Sequence, residues 1–308
     1  MKKIFIVIVF GMVCFLFFGC QDATDESHND KLTIYTSIYP IQYAVERIGG
    51  DAVMSQSVYP PGVDAHTYEP TTKDMTDIAK GDAFIYLGSG MEGFAETAAN
   101  ALQETNVKRI ELGRHKELFR ADHNDEDDIH HHDHGDIDPH MWLDPTRLIM
   151  AASYIKDTLI ELDPGKEKLF TANFESLKED LIHLDEDFKS TLQNKDNKTI
   201  LVSHAAYGYW EERYGIEQLP INGLSSSEEP SQRDLTKIIH QAESSNLHYV
   251  IFEQNASNQI SEIIQDYIDA KALTIHNLSV LTEKDIENQD DYLTLMEKNL
   301  HVLDEVLN

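Results

Sequence analysis

Short apolar, β-branched runs recur along this chain, separated by longer stretches whose apolar positions fall at helical spacing. Residues 32–36, 83–87 and 109–112 read as strands in the first half, and 199–203, 249–252 and 273–275 in the second. Strands alternating with helices of roughly 10 to 15 residues predict βα units and parallel sheets. Two such sets predict an α/β protein of two lobes, 31–162 and 196–308.

Between them, residues 163–194 are largely polar, with Leu169, Phe170, Phe174, Leu177, Leu181, Leu184 and Phe188 among their apolar positions. Their spacing puts them on one helical stripe. A helix of around 30 residues would span about 45 Å. Its position between the two sets of strands predicts a rigid connector over 163–195; the plainer alternative is an amphipathic helix belonging to one lobe. No solenoid-type internal repeat is present.

The N-terminus has a different pattern. Lys2 and Lys3 precede an almost unbroken apolar run, 4–18, and Gly19-Cys20 leads at once into polar sequence. That order describes a secretory signal peptide, 1–19. About 15 apolar residues fall short of a roughly 30 Å hydrocarbon core, which disfavours a permanent span. The Gly-Cys ending resembles a bacterial lipoprotein signal, with Phe17 where Leu or Val is usual. The resemblance implies a lipid on Cys20 and a flexible tether over 20–30; the alternative is an ordinary cleaved signal. Cys14 would leave with the signal, so the mature chain would hold one cysteine and no internal disulfide. The formal charge of −30 becomes two units more negative when Lys2 and Lys3 are removed. Such a charge argues against a nucleic-acid partner and is compatible with attracting cations.

One segment, 121–138, cannot build a core. It carries His123, His130, His131, His132 and His134 among eight acidic residues, with Ile129 and Ile137 its sizeable apolar residues. Clustered imidazoles and carboxylates predict a loop that binds several metal ions weakly. A solvated acidic loop is the bland alternative, and the interrupting acids and mid-chain position argue against a tag.

Three further histidines sit in more structured surroundings. His66 follows a turn-rich stretch beginning Tyr59-Pro60-Pro61-Gly62, His140 lies in Asp138-Pro139-His140-Met141-Trp142, and His204 ends the strand at 199–203. Loops at the carboxyl ends of parallel strands are where α/β folds bind ligands. Taken singly, each histidine is more often a packed or capping residue than a ligand.

Taken together, the motifs resemble the metal-binding solute receptors of ABC importers for zinc and manganese, in the zinc-type branch. The matching segments are Tyr35-Thr36-Ser37-Ile38-Tyr39-Pro40, residues 62–70, residues 138–145, Ser203-His204-Ala205-Ala206-Tyr207-Gly208-Tyr209, Glu229-Pro230-Ser231 and Phe252-Glu253. They occur in the family's order from about residue 31 to the end. The resemblance implies two α/β lobes joined by one long rigid connecting helix, with the metal site in the interlobe cleft. It also implies His66 and His140 as ligands from the first lobe and His204 from the second. The family's fourth ligand is usually a carboxylate, and Ser279 stands in its place. Water is the leading expectation for that position, with His276 or Glu283 as alternatives. Glu69, Glu229 and Glu253 are candidates to orient the ligands or line the cleft, or simply surface and packing carboxylates.

Three imidazoles suit Zn2+, whereas manganese favours more oxygen ligands. The expectation is therefore a receptor that captures zinc outside the membrane, as cargo and not as a catalytic cofactor. It would deliver the ion to an ABC permease served by a separate ATPase subunit. A manganese or other divalent-metal receptor of the same family, or a surface adhesion lipoprotein, is the alternative. Three histidines with an open position also describe a zinc hydrolase, but no His-Glu-x-x-His or Gly-x-Ser-x-Gly segment occurs. The resemblance implies capture without catalysis. There is no Gly-x-x-x-x-Gly-Lys-Ser/Thr phosphate loop, so this chain does not hydrolyse ATP by that route.

Overall fold

The computed structural model describes residues 31–119, 137–255 and 259–308. The signal segment and tether expected over 1–30, and the 121–138 loop up to residue 136, lie outside the described residues. Among the described residues, eight strands form two four-stranded sheets. The first contains β1 (Leu32–Thr36), β2 (Val53–Ser57), β3 (Ala83–Tyr86) and β4 (Lys108–Glu111), in the order β2-β1-β3-β4. The second contains β5 (Thr199–His204), β6 (Glu217–Asn222), β7 (Tyr249–Glu253) and β8 (Lys271–Ile275), in the order β6-β5-β7-β8. All pairings are parallel. The two α/β lobes expected from the sequence are therefore present, with the same strand order in each.

The strands missing from the sequence reading are β2 and β6, both at sheet edges. The β2 sequence, Val-Met-Ser-Gln-Ser, is largely polar, and four of its five residues are not buried. In β6, Pro220 argues against a central strand, and the structure tolerates it because an edge strand leaves one side of its ladder unpaired.

The second sheet shows why its lobe does not stand alone. Ile200, Val202, Ile251 and Ile275 enter a large core shared with the first lobe, whereas Leu201, Val250 and Phe252 enter a smaller one. That alternation is the period-two consequence of the pleat. The small core is closed by Ile238, Ala242 and Ile264 from the helices Gln232–Ser244 and Gln259–Tyr267.

The expected connector is the helix Glu167–Leu192, with 26 residues and a length of about 39 Å. It is shorter than the segment first suggested, because Pro164–Lys166 forms a tight turn after the helix Pro145–Leu162. Phe170, Phe174, Leu177, Leu181, Leu184 and Phe188 are buried as the stripe predicts, and Leu192 extends it. Leu169 is an exception: it is 41% exposed, since it precedes Phe170 and points about 100° away from it around the helix. The long helix packs on Tyr39–Gly49 and Pro145–Leu162 from one side of the molecule, and on Gly208–Tyr214 and Tyr292–Val306 from the other. Its buried Asp185 accepts two hydrogen bonds from the Arg213 guanidinium, at 2.8 and 2.7 Å, fixing the helix to Gly208–Tyr214.

The segment 138–144 is held by the second half of the chain at four points. Trp142 Nε1 donates to the Asn277 carbonyl at 2.8 Å, and Tyr292 Oη donates to the Trp142 carbonyl at 2.6 Å. Trp210 Nε1 donates to the Leu143 carbonyl at 2.8 Å, and Tyr209 Oη to the Asp138 carbonyl at 2.7 Å. Tyr292→Phe keeps the buried ring but orphans the Trp142 carbonyl. It should cost about 1–3 kcal/mol, the penalty of an unsatisfied buried acceptor. Urea unfolding would measure it; an unchanged midpoint would mean that this bond does not hold the seam.

Candidate metal centre

Each of the three predicted histidines is presented by a loop with its own local bracing. After β2 the chain turns through 58–66, where Tyr59 Oη donates to the Ala65 carbonyl at 2.8 Å. The Asp64 carboxylate then accepts the His66 backbone N–H at 2.8 Å. Asp138 does the same for His140, at 3.0 Å. An aspartate bonding to the backbone two residues on is a local turn device. Met141–Leu143 follows as a single tight turn, and Asp144 caps the helix Pro145–Leu162 through the Thr146 N–H. His204 is the last residue of β5, at the point where connections from β5 and β7 depart to opposite sides of the sheet.

These three loops converge. The ring centroids lie 5.4 Å apart for His66 and His140, 5.8 Å for His66 and His204, and 5.0 Å for His140 and His204. One nitrogen from each lies within 4.8 Å of the others, and the His140 and His204 Nε2 atoms are 3.3 Å apart. His140 and His204 are almost fully buried. His66 and His204, with Asp64, Ser226, Glu253, Asn277 and Ser279, line a space of about 10 Å³. That is near the minimum for a single water, so it suits an ion and not an organic substrate.

Two of the rings are oriented from behind by carboxylates. The His140 Nδ1 lies 2.9 Å from Asp138 Oδ1. The His204 Nδ1 lies 2.7 Å from Glu253 Oε1, a charge contact bent away from good hydrogen-bond geometry. Glu253 also accepts from Tyr207 Oη at 2.9 Å and from Asn277 Nδ2 at 2.8 Å. Both arrangements leave the two Nε2 atoms facing each other, as a carboxylate behind a ligating imidazole should.

The electrostatics separate the rings. Burial, and then the neighbouring His140 and His204, push His66 down to about 3, so it is neutral at pH 7. Burial also opposes charge on His204, but the Glu253 carboxylate reverses the balance and raises it above the ordinary histidine value. Burial disfavours the Glu253 charge, yet His204, Tyr207 and Asn277 together hold it at about 2.

The other residues weighed from sequence fall elsewhere. His276 is buried with both nitrogens engaged, Nδ1 accepting the Leu278 N–H at 2.9 Å and Nε2 facing Asp285 at 3.0 Å. Glu283 is an exposed residue of the short helix Glu283–Asn288. Ser279 does line the shared space, and its hydroxyl donates to Asn277 Oδ1 at 2.8 Å. Of Glu69, Glu229 and Glu253, only Glu253 touches a histidine of the cluster; the first two are exposed. The sequence reading did not single out Asp64, Asp138 and Asn277. The repeated Asp-x-His spacing at 64–66 and 138–140 was the available signal for the two aspartates. A larger groove of about 520 Å³ lies at the opposite ends of β5 and β7. Among its polar side chains, Asn246 pairs with His248, and Asn197 accepts the Thr199 backbone N–H.

Residues 34–306 match the model of a protein family described as zinc-uptake complex component A, periplasmic, or ZnuA. The chain belongs to the ZnuA family. It is 30% identical to the zinc-binding lipoprotein AdcA of Streptococcus pneumoniae over 98% of its own length, but spans only 60% of that relative. It is 27% identical to the high-affinity zinc uptake system protein ZnuA of Bacillus subtilis, covering 92% of this chain and 89% of the relative. The crystal structure of the Zn(II)-bound ZnuA-like domain of S. pneumoniae AdcA superposes with a TM-score of 0.73 at 29% identity, over 90% of this chain and 99% of that one. The family's description is that of a component of zinc uptake.

A metal ion bound by three imidazoles competes with protons for each of them. His66 is already neutral at pH 7, whereas His204 carries a raised proton affinity. Metal affinity should therefore fall as pH drops below the His204 value, by about tenfold per pH unit for the one proton displaced there. Chelator competition between pH 8 and pH 6 would show the slope. A flat profile would mean that His204 does not ligate.

Proposed function

We propose that this protein captures zinc outside the cytoplasmic membrane and delivers it to an ABC-type importer, with His66, His140 and His204 as the ligands. The observation that carries this reading is the convergence of three imidazole nitrogens, from three separate segments of the chain, within 4.8 Å of one another, beside a space of ion size lined by His66 and His204. Zinc accepts imidazole nitrogen at about 2.0–2.1 Å in four-coordinate sites, and three neutral nitrogens with one further ligand satisfy it. Ser279 Oγ borders the space where a carboxylate would otherwise stand, so a water completes the set. The manganese reading is not favoured: no carboxylate belongs to the converged cluster, and the named relatives are described as zinc proteins. Adhesion is not favoured either, since it makes no use of three converged imidazoles.

The rest of the delivery system follows from this reading. A lipid on Cys20 anchors the receptor to the membrane, with 20–30 as tether. The His- and acid-rich segment 121–138 collects zinc weakly and raises its concentration near the cleft. The loaded receptor docks on a permease whose separate ATPase subunit drives the ion inward. No described helix is long and apolar enough to cross a membrane. The lobes, on this reading, run over 31–162 and 196–308, with 163–195 between them.

Zinc and manganese competing for the mature protein lacking 121–138 would test the assignment. One tight zinc site is expected, and His66→Ala, His140→Ala or His204→Ala should each weaken it by more than the roughly 10–100-fold that losing an outer partner costs. Preference for manganese, or zinc binding indifferent to all three substitutions, would overturn the ligand set. Removing 121–138 should leave that tight site intact while lowering cellular uptake when zinc is scarce. An unchanged uptake curve would remove the segment from the mechanism.

A further inference from the structure

The residue with the most connections to this site is not one of its histidines. Asn277 lies just beyond β8, in the turn Asn277-Leu278-Ser279. Its side-chain orientation is fixed independently of any bound ion. Oδ1 accepts the Ser279 backbone N–H at 3.0 Å, and an N–H can only donate, so the oxygen must be on that side. The same Oδ1 accepts from Ser279 Oγ at 2.8 Å and from Gln254 Nε2 at 3.1 Å. Gln254 in return accepts the Asn277 backbone N–H at 3.0 Å. Nδ2 is thereby turned toward Glu253 Oε2, to which it donates at 2.8 Å. The Asn277 carbonyl accepts from Trp142, two residues past His140.

One amide therefore acts in three directions. It steadies the Glu253 carboxylate, which with Tyr207 is held against the Nδ1 of His204. It uses the only hydroxyl proton of Ser279, so the Ser279 oxygen keeps its lone pairs for the shared space, where it accepts but does not donate. Its main chain ties the segment carrying His140 to the second lobe.

The backbone around it is held against its own preference. Leu278 has φ of +62°, a left-handed conformation unusual for a bulky residue, and is fully buried. Strain of this kind persists only where the surroundings impose it, and it gathers at functional sites. Here His276 imposes it. Its Nδ1 accepts the Leu278 N–H, while its backbone N–H and carbonyl are both engaged by the Asn299 side chain, each at 2.7 Å.

We infer that Asn277 is a positioning residue for zinc: it holds His204 through Glu253 and presents Ser279 as an acceptor for a proton-bearing fourth ligand, a metal-bound water. This rests on the proposed zinc site. It makes selectivity a property of the strained 277–279 turn as well as of the three histidines.

Asn277→Ala removes the side-chain contacts and keeps the carbonyl that receives Trp142. Asn277→Asp keeps the acceptor for Ser279 and Gln254 but turns an oxygen toward Glu253. Both should weaken zinc binding, the alanine variant by about 10–100-fold, and both should alter the visible absorption of the cobalt-substituted protein. Asn277→Ala should lower the melting temperature of the metal-free protein, because it leaves the Ser279 N–H without its acceptor, and in addition the zinc-induced rise should shrink. Ser279→Ala should cost less than either Asn277 variant, because it leaves Glu253 and His204 held. Zinc affinity within about twofold of the parent, with an unchanged cobalt spectrum, would overturn the inference. So would a Ser279→Ala loss equal to that of Asn277→Ala, since the effect would then not run through Glu253. The histidine substitutions separate the two readings. If they leave zinc binding intact, the zinc site itself is misassigned; if they abolish it and the Asn277 variants do not weaken it, only the positioning role fails.

Discussion

The structure depends most on the stapling of residues 138–144 to the second half of the chain. Four hydrogen bonds, from Trp142, Tyr292, Trp210 and Tyr209, cross this seam. Behind it, one face of the second sheet shares a core with the first lobe and the long helix. A freely hinged pair of lobes would require that face to be exposed to water on opening, at roughly 25 cal/mol for each Å² of apolar surface. The geometry instead favours a body in which His140 and His204 keep a nearly fixed relation, and the loop carrying His66 is tied to the second half as well: the Gly62 N–H donates to the Leu281 carbonyl, Asn255 Nδ2 to the Val63 carbonyl and Ser226 Oγ to Asp64.

That rigidity bears on the chemistry. Imidazoles brought within a few ångströms cannot all be protonated without repulsion, and burial adds to the cost. The protein resolves this unevenly: His66 is driven neutral, and the charge it permits is concentrated at His204 beside Glu253. On the proposed ligand set, a divalent ion between the rings would replace repulsion with coordination and displace a proton from His204. Preorganised nitrogens with carboxylates behind two of them leave little to rearrange when the ion binds.

Much of this was legible in the sequence. The alternation of apolar runs predicted both sheets, and the three-four spacing from Phe170 to Phe188 predicted the long helix. The edge strands were not legible, because β2 is mostly polar and β6 contains Pro220, and edges need less burial than central strands. The three histidines could be named from their motifs, but motifs could not show that they meet. Which acid would stand behind each ring was also hidden. Glu69, Glu229 and Glu253 looked alike in sequence, and only the end of β7 brings a carboxylate to His204. His276 looked available for the fourth position because a linear reading cannot see that Leu278 and Asp285 already occupy its nitrogens. Asn277 gave no signal, since its role comes from partners far apart in the chain.

The most direct test of the account is zinc K-edge X-ray absorption on the loaded protein without residues 121–138. The account predicts three imidazole nitrogens and one oxygen, four-coordinate, at about 2.0–2.1 Å. A shell of five or six ligands dominated by oxygen, or one with fewer than three imidazoles, would contradict it.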